Sequence, residues 1–157
     1  MYVGDVPRSD AAQLVRDDVA VAVLQAYQPA VLQLYMPYAV AGDGNCCYRA
    51  VSLALYGTEA HHLHVRTLAA IEMLSHRTNY DISDAAYVGT LDVIEMFVDT
   101  YSRLLDAVLT PGNYAEMMHI YAISAATGTV VITNGTLIRR HDFYRLKASR
   151  GPSAISR

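Results

Sequence analysis

The stretch that decides this fold is Gly42-Asp43-Gly44-Asn45-Cys46-Cys47-Tyr48-Arg49-Ala50. Its first half is rich in turn formers, because Gly adopts positive φ angles at little cost and Asp and Asn side chains bond nearby backbone groups. From Cys46 onward the chain becomes apolar, which predicts a buried helix of about three turns that stops at Gly57. Cys46 therefore lies in the first turn of a helix, directly after a glycine-rich turn.

This position suits a cysteine nucleophile. A thiol at a helix N-terminus is close to the positive end of the helix dipole, which favours the thiolate. The backbone N–H groups of such a turn can also point at a substrate oxygen, as an oxyanion hole requires. The alternative is that Cys46 is a small, inert core residue among Ala, Val and Leu. Cys47 is the weaker candidate, since it points about 100° away around the helix, into the core.

The segment 43–50 resembles the cysteine box of the OTU (ovarian tumour) family of deubiquitinating cysteine proteases. The resemblance continues, more faintly towards its end, through Leu55-Tyr56-Gly57-Thr58-Glu59, His61-His62, Val65-Arg66, Gly112-Asn113-Tyr114-Ala115-Glu116 and the apolar strand Val130-Val131-Ile132. Residues 49–59 are also similar to the OTU-like segment of vertnin-type animal proteins. Together these matches span most of residues 42–133.

The resemblance implies thiol-dependent hydrolysis of conjugates of ubiquitin or a ubiquitin-like protein, with no cofactor. Cys46 is then the nucleophile, and backbone N–H groups from Asp43 to Cys46, on the turn formed by Gly44 and Asn45, hold the oxyanion. Asp43 supports this oxyanion hole in the resemblance, whereas its plain alternative is an Asx-type turn residue.

The catalytic base is harder to place. OTU enzymes take their His from a strand near the end of the domain, and His141 is the candidate here, with His119 as the fallback in a buried-looking helix. His141 comes early after the strand and is followed by Asp142 rather than by the family's aromatic residue. Asp142 is a poor third member of the triad, because neighbouring side chains on a strand point to opposite faces.

Three functional interpretations therefore stay open. The intact turn before Cys46 favours an enzyme, since a pure scaffold has no chemical need for it. The displaced His and the short C-terminus favour either a truncated domain or a catalytically inactive, vertnin-like binding or regulatory module. A third interpretation is a fragment completed by another chain, since the apolar composition leaves surface to cover.

The composition predicts one globular domain with a real core. The chain has 157 residues, of which 53% are hydrophobic and 17% charged, and this excludes a disordered chain. The net charge is −3 with no basic stripe, so nucleic acid is not an expected partner. The sequence does not decide the oligomeric state.

The cysteine content predicts a reduced, intracellular protein in the cytoplasm or nucleus, because two adjacent cysteines do not make a structural disulfide framework. No signal peptide is expected at the N-terminus. Residues 19–42 carry no charge, but Gln and Pro residues interrupt them, so neither a transmembrane helix nor a membrane partner is expected. His61 and His64 share a helix face without the carboxylates of a helical metal motif, and no metal site is expected.

These patterns predict a single α+β domain over residues 9–146, with helices packed around a small β-sheet in an OTU-like fold. Residues 1–8 are expected to be flexible and residues 147–157 to form a disordered tail. The expected helices cover residues 11–27, capped by Ser9-Asp10, then 46–56, then 59–75, with Thr58 as the N-cap, and finally 91–109 and 114–127. The expected sheet combines residues 31–36 with a hairpin of residues 130–133 and 136–138, which turns at Asn134-Gly135.

Overall fold

The fold is built around one central helix (His62–Ser75), whose buried residues are mostly small or apolar but include the charged Arg66 and Glu72. A computed structural model describes residues 14–87 and 99–129, together with the backbone of residues 131–133 and 136–138. Its helices are α1 (Asp18–Tyr27), α2 (Pro29–Leu32), α3 (Cys46–Tyr56), α4 (His62–Ser75), α5 (Tyr101–Leu109) and α6 (Met117–Thr127). Short 3₁₀ turns at Glu59–His61 and Arg77–Asn79 flank α4.

Helix α4 packs against α3, α5 and α6, and the core lies between these four helices. Burial of their apolar side chains removes hydrocarbon surface from water, which is the main driving force for the fold. The fully buried apolar residues are Tyr48, Val51, Val65, Ala69, Met73, Tyr80, Leu104, Val108, Ala122 and Ile123.

The ends of the core helices follow the signals in the sequence. Gly57 ends α3 in the left-handed conformation, at φ 72°, and donates its N–H to the Leu53 carbonyl. The Thr58 hydroxyl then accepts from the Ala60 N–H and starts the turn that leads into α4. Gly128, at φ 69°, ends α6 in the same way as Gly57 ends α3. Glycine is suited to both positions because a Cβ disfavours positive φ.

The predicted α+β class is wrong, because the described part of the chain is mostly helical. Helix accounts for 62% of residues 14–87 and 99–129, and these two ranges contain no strand. The segment 31–36 is predicted from the sequence to be a strand, but its first two residues belong to α2. Tyr35 then donates its N–H to the Val31 carbonyl, as in a helical turn. Pro29 at the first position of α2 explains this, since its fixed φ is already helical.

The strands in the described chain are the two strands of one hairpin. Its strands, β1 (Val131–Thr133) and β2 (Thr136–Ile138), pair antiparallel with Ile132 opposite Leu137. The predicted turn residues Asn134 and Gly135 lie outside the described residues.

Helices α1 and α5 begin well after the starts that the sequence pattern predicts, and α6 begins at Met117 rather than at residue 114. Helix α1 begins at Asp18, where the Asp17 carboxylate accepts from the Ala20 N–H, and the predicted cap at Ser9-Asp10 lies outside the described residues. The helix predicted over residues 91–109 is not continuous, because Thr100 is extended at ψ 148° and α5 begins at Tyr101. Residues 88–98 lie outside the described part of the chain.

Helices α1 and α2 pack against each other and contain no buried residue. Val19, Val23 and Tyr27 follow one another at four-residue spacing along α1 and are exposed. No helix in the described ranges is long and apolar enough to cross a bilayer.

The loop after α4 is held by the carboxylate of Asp81, which is 2% exposed. It accepts hydrogen bonds from the Ser83 hydroxyl at 2.6 Å and from the Arg77 guanidinium at 2.8 and 3.0 Å. These donors, the Ser83 hydroxyl first, hold the pKa of Asp81 below its ordinary value. The charged carboxylate is therefore the form that the folded loop requires.

Acidification should destabilise the domain through Asp81. A carboxyl with a lowered folded pKa contributes stability that is complete above its unfolded pKa of about 4 and is lost as the pH falls through the folded value. We expect Asp81→Asn to lower the free energy of unfolding at pH 7 by about 1–2 kcal/mol and to flatten its decline below pH 5. Urea unfolding from pH 7 to pH 3 measures both effects.

Asp106→Asn is the control for this experiment, because Asp106 is exposed. It should keep the pH dependence of the wild-type chain. Equal pH dependence in wild type and Asp81→Asn would contradict the role given to Asp81.

Candidate functional site

Cys46 is the first residue of α3 and follows a turn in which Gly44 has φ +79°. Both cysteine thiols are free, and both residues are partly buried. The sequence prediction that Cys46 lies in the first turn of a helix is confirmed. Because N-terminal N–H groups of a helix lack intrahelical acceptors, Cys46 lies beside donors that can face an incoming oxygen.

Asn45 occupies the N-cap position of α3, yet its side chain does not cap that helix. Its Oδ1 atom instead accepts from Arg66 Nη2 at 2.9 Å and from the Gly112 N–H at 3.0 Å. Asn45 is 6% exposed. The oxygen that ordinarily satisfies the first turn of a helix is thus directed away from it, and the Cys46 N–H has no acceptor among the described residues.

Gly44 and Gly112 meet backbone to backbone. A Cβ placed on Gly44 would lie 1.7 Å from the Gly112 carbonyl oxygen, far inside van der Waals contact, and both glycines have positive φ. The loop after α5 therefore packs directly against the turn before Cys46. This contact explains Gly44 without reference to chemistry, since a side chain there has no room, whereas Gly112 is explained by its positive φ of +90°.

Asp43 is held by an ion pair on the surface of the same turn. Its carboxylate accepts from Arg49 Nε at 3.1 Å and Arg49 Nη2 at 2.6 Å, and from the Asn45 N–H at 3.0 Å. The Arg49 bonds, reinforced by Asn45, hold the pKa of Asp43 well below its ordinary value. Glu59 adds a second carboxylate, 3.5 Å from Arg49 Nη1. Asp43 thus forms the Asx-type turn that was its plain alternative.

Arg66 joins the turn to the end of α5. Its side chain is buried, and the residue is 3% exposed. Nη1 donates to the carbonyl oxygens of Ala107, Val108 and Thr110, and Nη2 donates to Asn45 and, at 2.6 Å, to the Asn113 carbonyl. No carboxylate of residues 14–87 or 99–129 forms an ion pair with it.

The charge of Arg66 is balanced in two other ways. The last carbonyls of α5 carry the partial negative charge of a helix C-terminus, and they receive the guanidinium directly. The guanidinium also lies over the ring of Tyr48, with its carbon 4.1 Å from the ring centroid. The sequence analysis gives Arg66 no role beyond its part in the family resemblance, and only the structure shows that it is buried on α4 between Val65 and Ala69.

The two thiols differ in their surroundings. Burial raises the pKa of the Cys47 thiol to about 12, so Cys47 is protonated at neutral pH and is a poor nucleophile. This agrees with the choice of Cys46 over Cys47, although the nucleophile itself stays a prediction. Within the described ranges no imidazole nitrogen forms a hydrogen bond with the Cys46 thiol.

Both ring nitrogens of His119, the fallback base, form structural hydrogen bonds. Its Nδ1 atom accepts from the Glu116 N–H at 2.8 Å, and Nε2 donates to the Leu104 carbonyl at 2.8 Å. It is fully buried, and burial lowers its pKa. Both ring nitrogens are therefore occupied in the neutral form, and His119 cannot serve as a proton shuttle without breaking α6 at its first turn.

None of the other candidate histidines is shown beside the Cys46 thiol in the described part of the chain. His61 and His64 flank the ring of Tyr56, with centroid distances of 5.3 and 6.2 Å. The described residues contain no group of three or more His, Cys, Asp or Glu side chains that could hold a metal ion. His141 and Asp142 lie outside the described residues, so their roles as base and orienting group stay predictions.

The family model of the vertnin OTU domain matches residues 37–133. That segment contains the glycine turn, Cys46, Arg66 and the loop that contacts the turn, and it is more than half of the chain. The chain therefore belongs to the vertnin OTU-domain family, and the resemblance found in the sequence is confirmed. Comparison with curated proteins finds no match.

Replacing Gly44 should disrupt the turn, whereas replacing Gly42 should not. We expect Gly44→Ala to destabilise the chain by about 2 kcal/mol or more, because it combines a positive φ with a clash against the Gly112 backbone. A Cβ added at Gly42 would meet nothing within 4 Å, and Gly42→Ala should change stability by less than about 0.5 kcal/mol. Thermal unfolding of both variants measures the difference, and similar losses in the two would refute the close approach.

Alkylation should distinguish the two thiols. At pH 7.5 iodoacetamide should modify Cys46 and leave Cys47 largely unreacted, because burial keeps the Cys47 thiol protonated. Fragmentation of the alkylated peptide locates the label, and Cys47→Ser should react at the wild-type rate. Preferential labelling of Cys47 in the folded chain would be inconsistent with its burial.

Proposed function

We propose that this domain is a thiol-dependent hydrolase of the deubiquitinase type, which cleaves ubiquitin or ubiquitin-like conjugates through Cys46. The observation that carries the proposal is the placement of Cys46 at the first position of α3, where its N–H has no acceptor among the described residues. The preference for a ubiquitin-like tail derives from the OTU family and from no particular contact.

The proposed reaction has two steps. The Cys46 thiolate attacks the carbonyl carbon at the end of the ubiquitin tail, and the tetrahedral intermediate collapses to a thioester as the amine leaves with a proton from His141. Water, deprotonated by His141, then attacks the thioester, releases the tail carboxylate and restores the Cys46 thiol. No metal or cofactor takes part.

The oxyanion hole of this mechanism has fewer backbone donors than the sequence suggested. The Asn45 N–H is engaged by the Asp43 carboxylate, so it does not contribute. The N–H groups of Gly44 and Cys46 are not engaged by acceptors in the described chain, and they are the proposed oxyanion donors. Asp43 acts by holding the turn, through Arg49, rather than by touching the substrate.

A second candidate is a catalytically inactive binding or regulatory module with an OTU-like fold. A specific observation favours it: Asp43, Gly44 and Asn45 each have a structural task in the turn, so their presence does not require catalysis. The intact turn therefore argues for an enzyme less strongly than it did from sequence alone. Among residues 43–46, Cys46 is the residue to which the described contacts give no structural role.

A ubiquitin probe with a C-terminal electrophile tests the proposal. We expect the purified chain to form a covalent adduct on Cys46, located by intact mass and peptide mapping. Cys46→Ala should abolish the adduct and Cys47→Ala should retain it. Folded protein that forms no adduct would support the inactive module, and an adduct on Cys47 would remove Cys46 as the nucleophile.

Substitution of His141 tests the base. We expect His141→Ala to lower kcat on a ubiquitin conjugate by about 10²–10⁴-fold, the usual contribution of general acid–base catalysis. His119→Asn is the comparison, since His119 is predicted to matter for folding and not for proton transfer. An unchanged kcat in His141→Ala would assign the base to another group.

A further inference from the structure

We propose that Arg66 is a positioning residue for Cys46, which holds the turn before α3 against the end of α5 through the side chain of Asn45. The effect on hydrolysis rests on the proposed function, whereas the effect on the geometry and reactivity of the Cys46 thiol does not. Arg66 itself does not touch the substrate in this proposal.

The first argument is the connectivity of the guanidinium. One planar group bonds to three segments: the last turn of α5, the loop at Asn113 and the side chain of Asn45. A guanidinium presents its donors in a fixed fork, so fixing Nη1 on the α5 carbonyls also fixes the direction of Nη2. The position of Asn45 relative to α5 is therefore set by one rigid group.

The second argument is the chain position of Asn45. It directly precedes Cys46, and its Oδ1 atom receives both the Arg66 bond and the Gly112 N–H bond. Its backbone, at φ −97° and ψ 6°, is not the extended conformation of an ordinary N-cap. A shift of the Asn45 side chain therefore turns the peptide unit that leads into Cys46.

The third argument is that a smaller cation cannot replace Arg66. A lysine ammonium carries its donors on one atom and cannot reach the α5 carbonyls and Asn45 together. Arg66→Lys should therefore keep the buried positive charge and lose the link to the turn. Small misplacements of a reacting group cost large factors in rate, up to about 10²-fold for 1 Å.

The experiment uses the whole chain and three variants. Arg66→Lys breaks the fork and leaves the bond between Asn45 and the Gly112 N–H, whereas Asn45→Ala removes the acceptor of both Arg66 and the Gly112 N–H and leaves the α5 bonds of Arg66 in place. Glu72→Ala is the matched control, because Glu72 is a buried polar residue on the same helix that binds Tyr80 and His76 and has no contact with the turn. If Arg66→Lys does not fold, Asn45→Ala decides.

Three quantities are measured for each variant: the rate of labelling by the electrophilic ubiquitin probe, the pH profile of Cys46 alkylation by iodoacetamide, and Tm. We expect Arg66→Lys and Asn45→Ala to be labelled at least about tenfold more slowly by the probe and to alter the alkylation profile. Glu72→Ala should match wild type in both at a comparable loss of Tm.

Two outcomes overturn the proposal. One is a slowing that follows the loss of Tm equally in all three variants, which makes Arg66 a purely structural residue. The other is an unchanged Cys46 profile in Arg66→Lys and Asn45→Ala. If the wild-type chain does not react with the ubiquitin probe, the proposed function fails, and the alkylation profile alone supports or overturns the role of Arg66.

Discussion

The rest of the site depends on the hydrogen bonds that the buried guanidinium of Arg66 donates. A charge in the interior is costly unless it is hydrogen-bonded, and here the acceptors come from α5, from the following loop and from Asn45. No carboxylate of the described chain forms an ion pair with Arg66. The guanidinium therefore depends on the free carbonyl groups at the end of α5, and α5 has to end beside α4 for them to reach it. The same hydrogen bonds thus hold α4 against α5 and fix the geometry of the turn before Cys46.

The three residues before Cys46 each have a structural explanation. Asp43 is held by Arg49, Gly44 has no room for a side chain beside Gly112, and Asn45 serves Arg66. Each of these residues thus has a structural role that does not require catalysis. Cys46 differs from them, since its side chain forms no hydrogen bond or ion pair with a described residue and its thiol bonds to no described imidazole. The chemical argument therefore depends on Cys46 rather than on the motif as a whole.

Sequence reasoning succeeded where the signal is local. The start of α3 after the glycine turn, Gly57 as its stop and Thr58 as the following cap all follow from the chemistry of neighbouring residues. It failed at residues 31–36, because a short apolar run does not distinguish strand from helix and Pro29 favoured the helix. The role of Arg66 could not be predicted from spacing, since its acceptors on α5 lie more than 40 residues along the chain.

The contact between Asn45 and Gly112 joins residues 67 positions apart in the chain. Such a contact forms only after a long loop has closed, and it is lost whenever either segment opens. The turn at Cys46 and the loop after α5 therefore belong to one cooperative unit. The amide proton of Gly112 is consequently a reporter of that unit: its rate of exchange with solvent measures how often the environment of Cys46 comes apart while the rest of the fold stays closed.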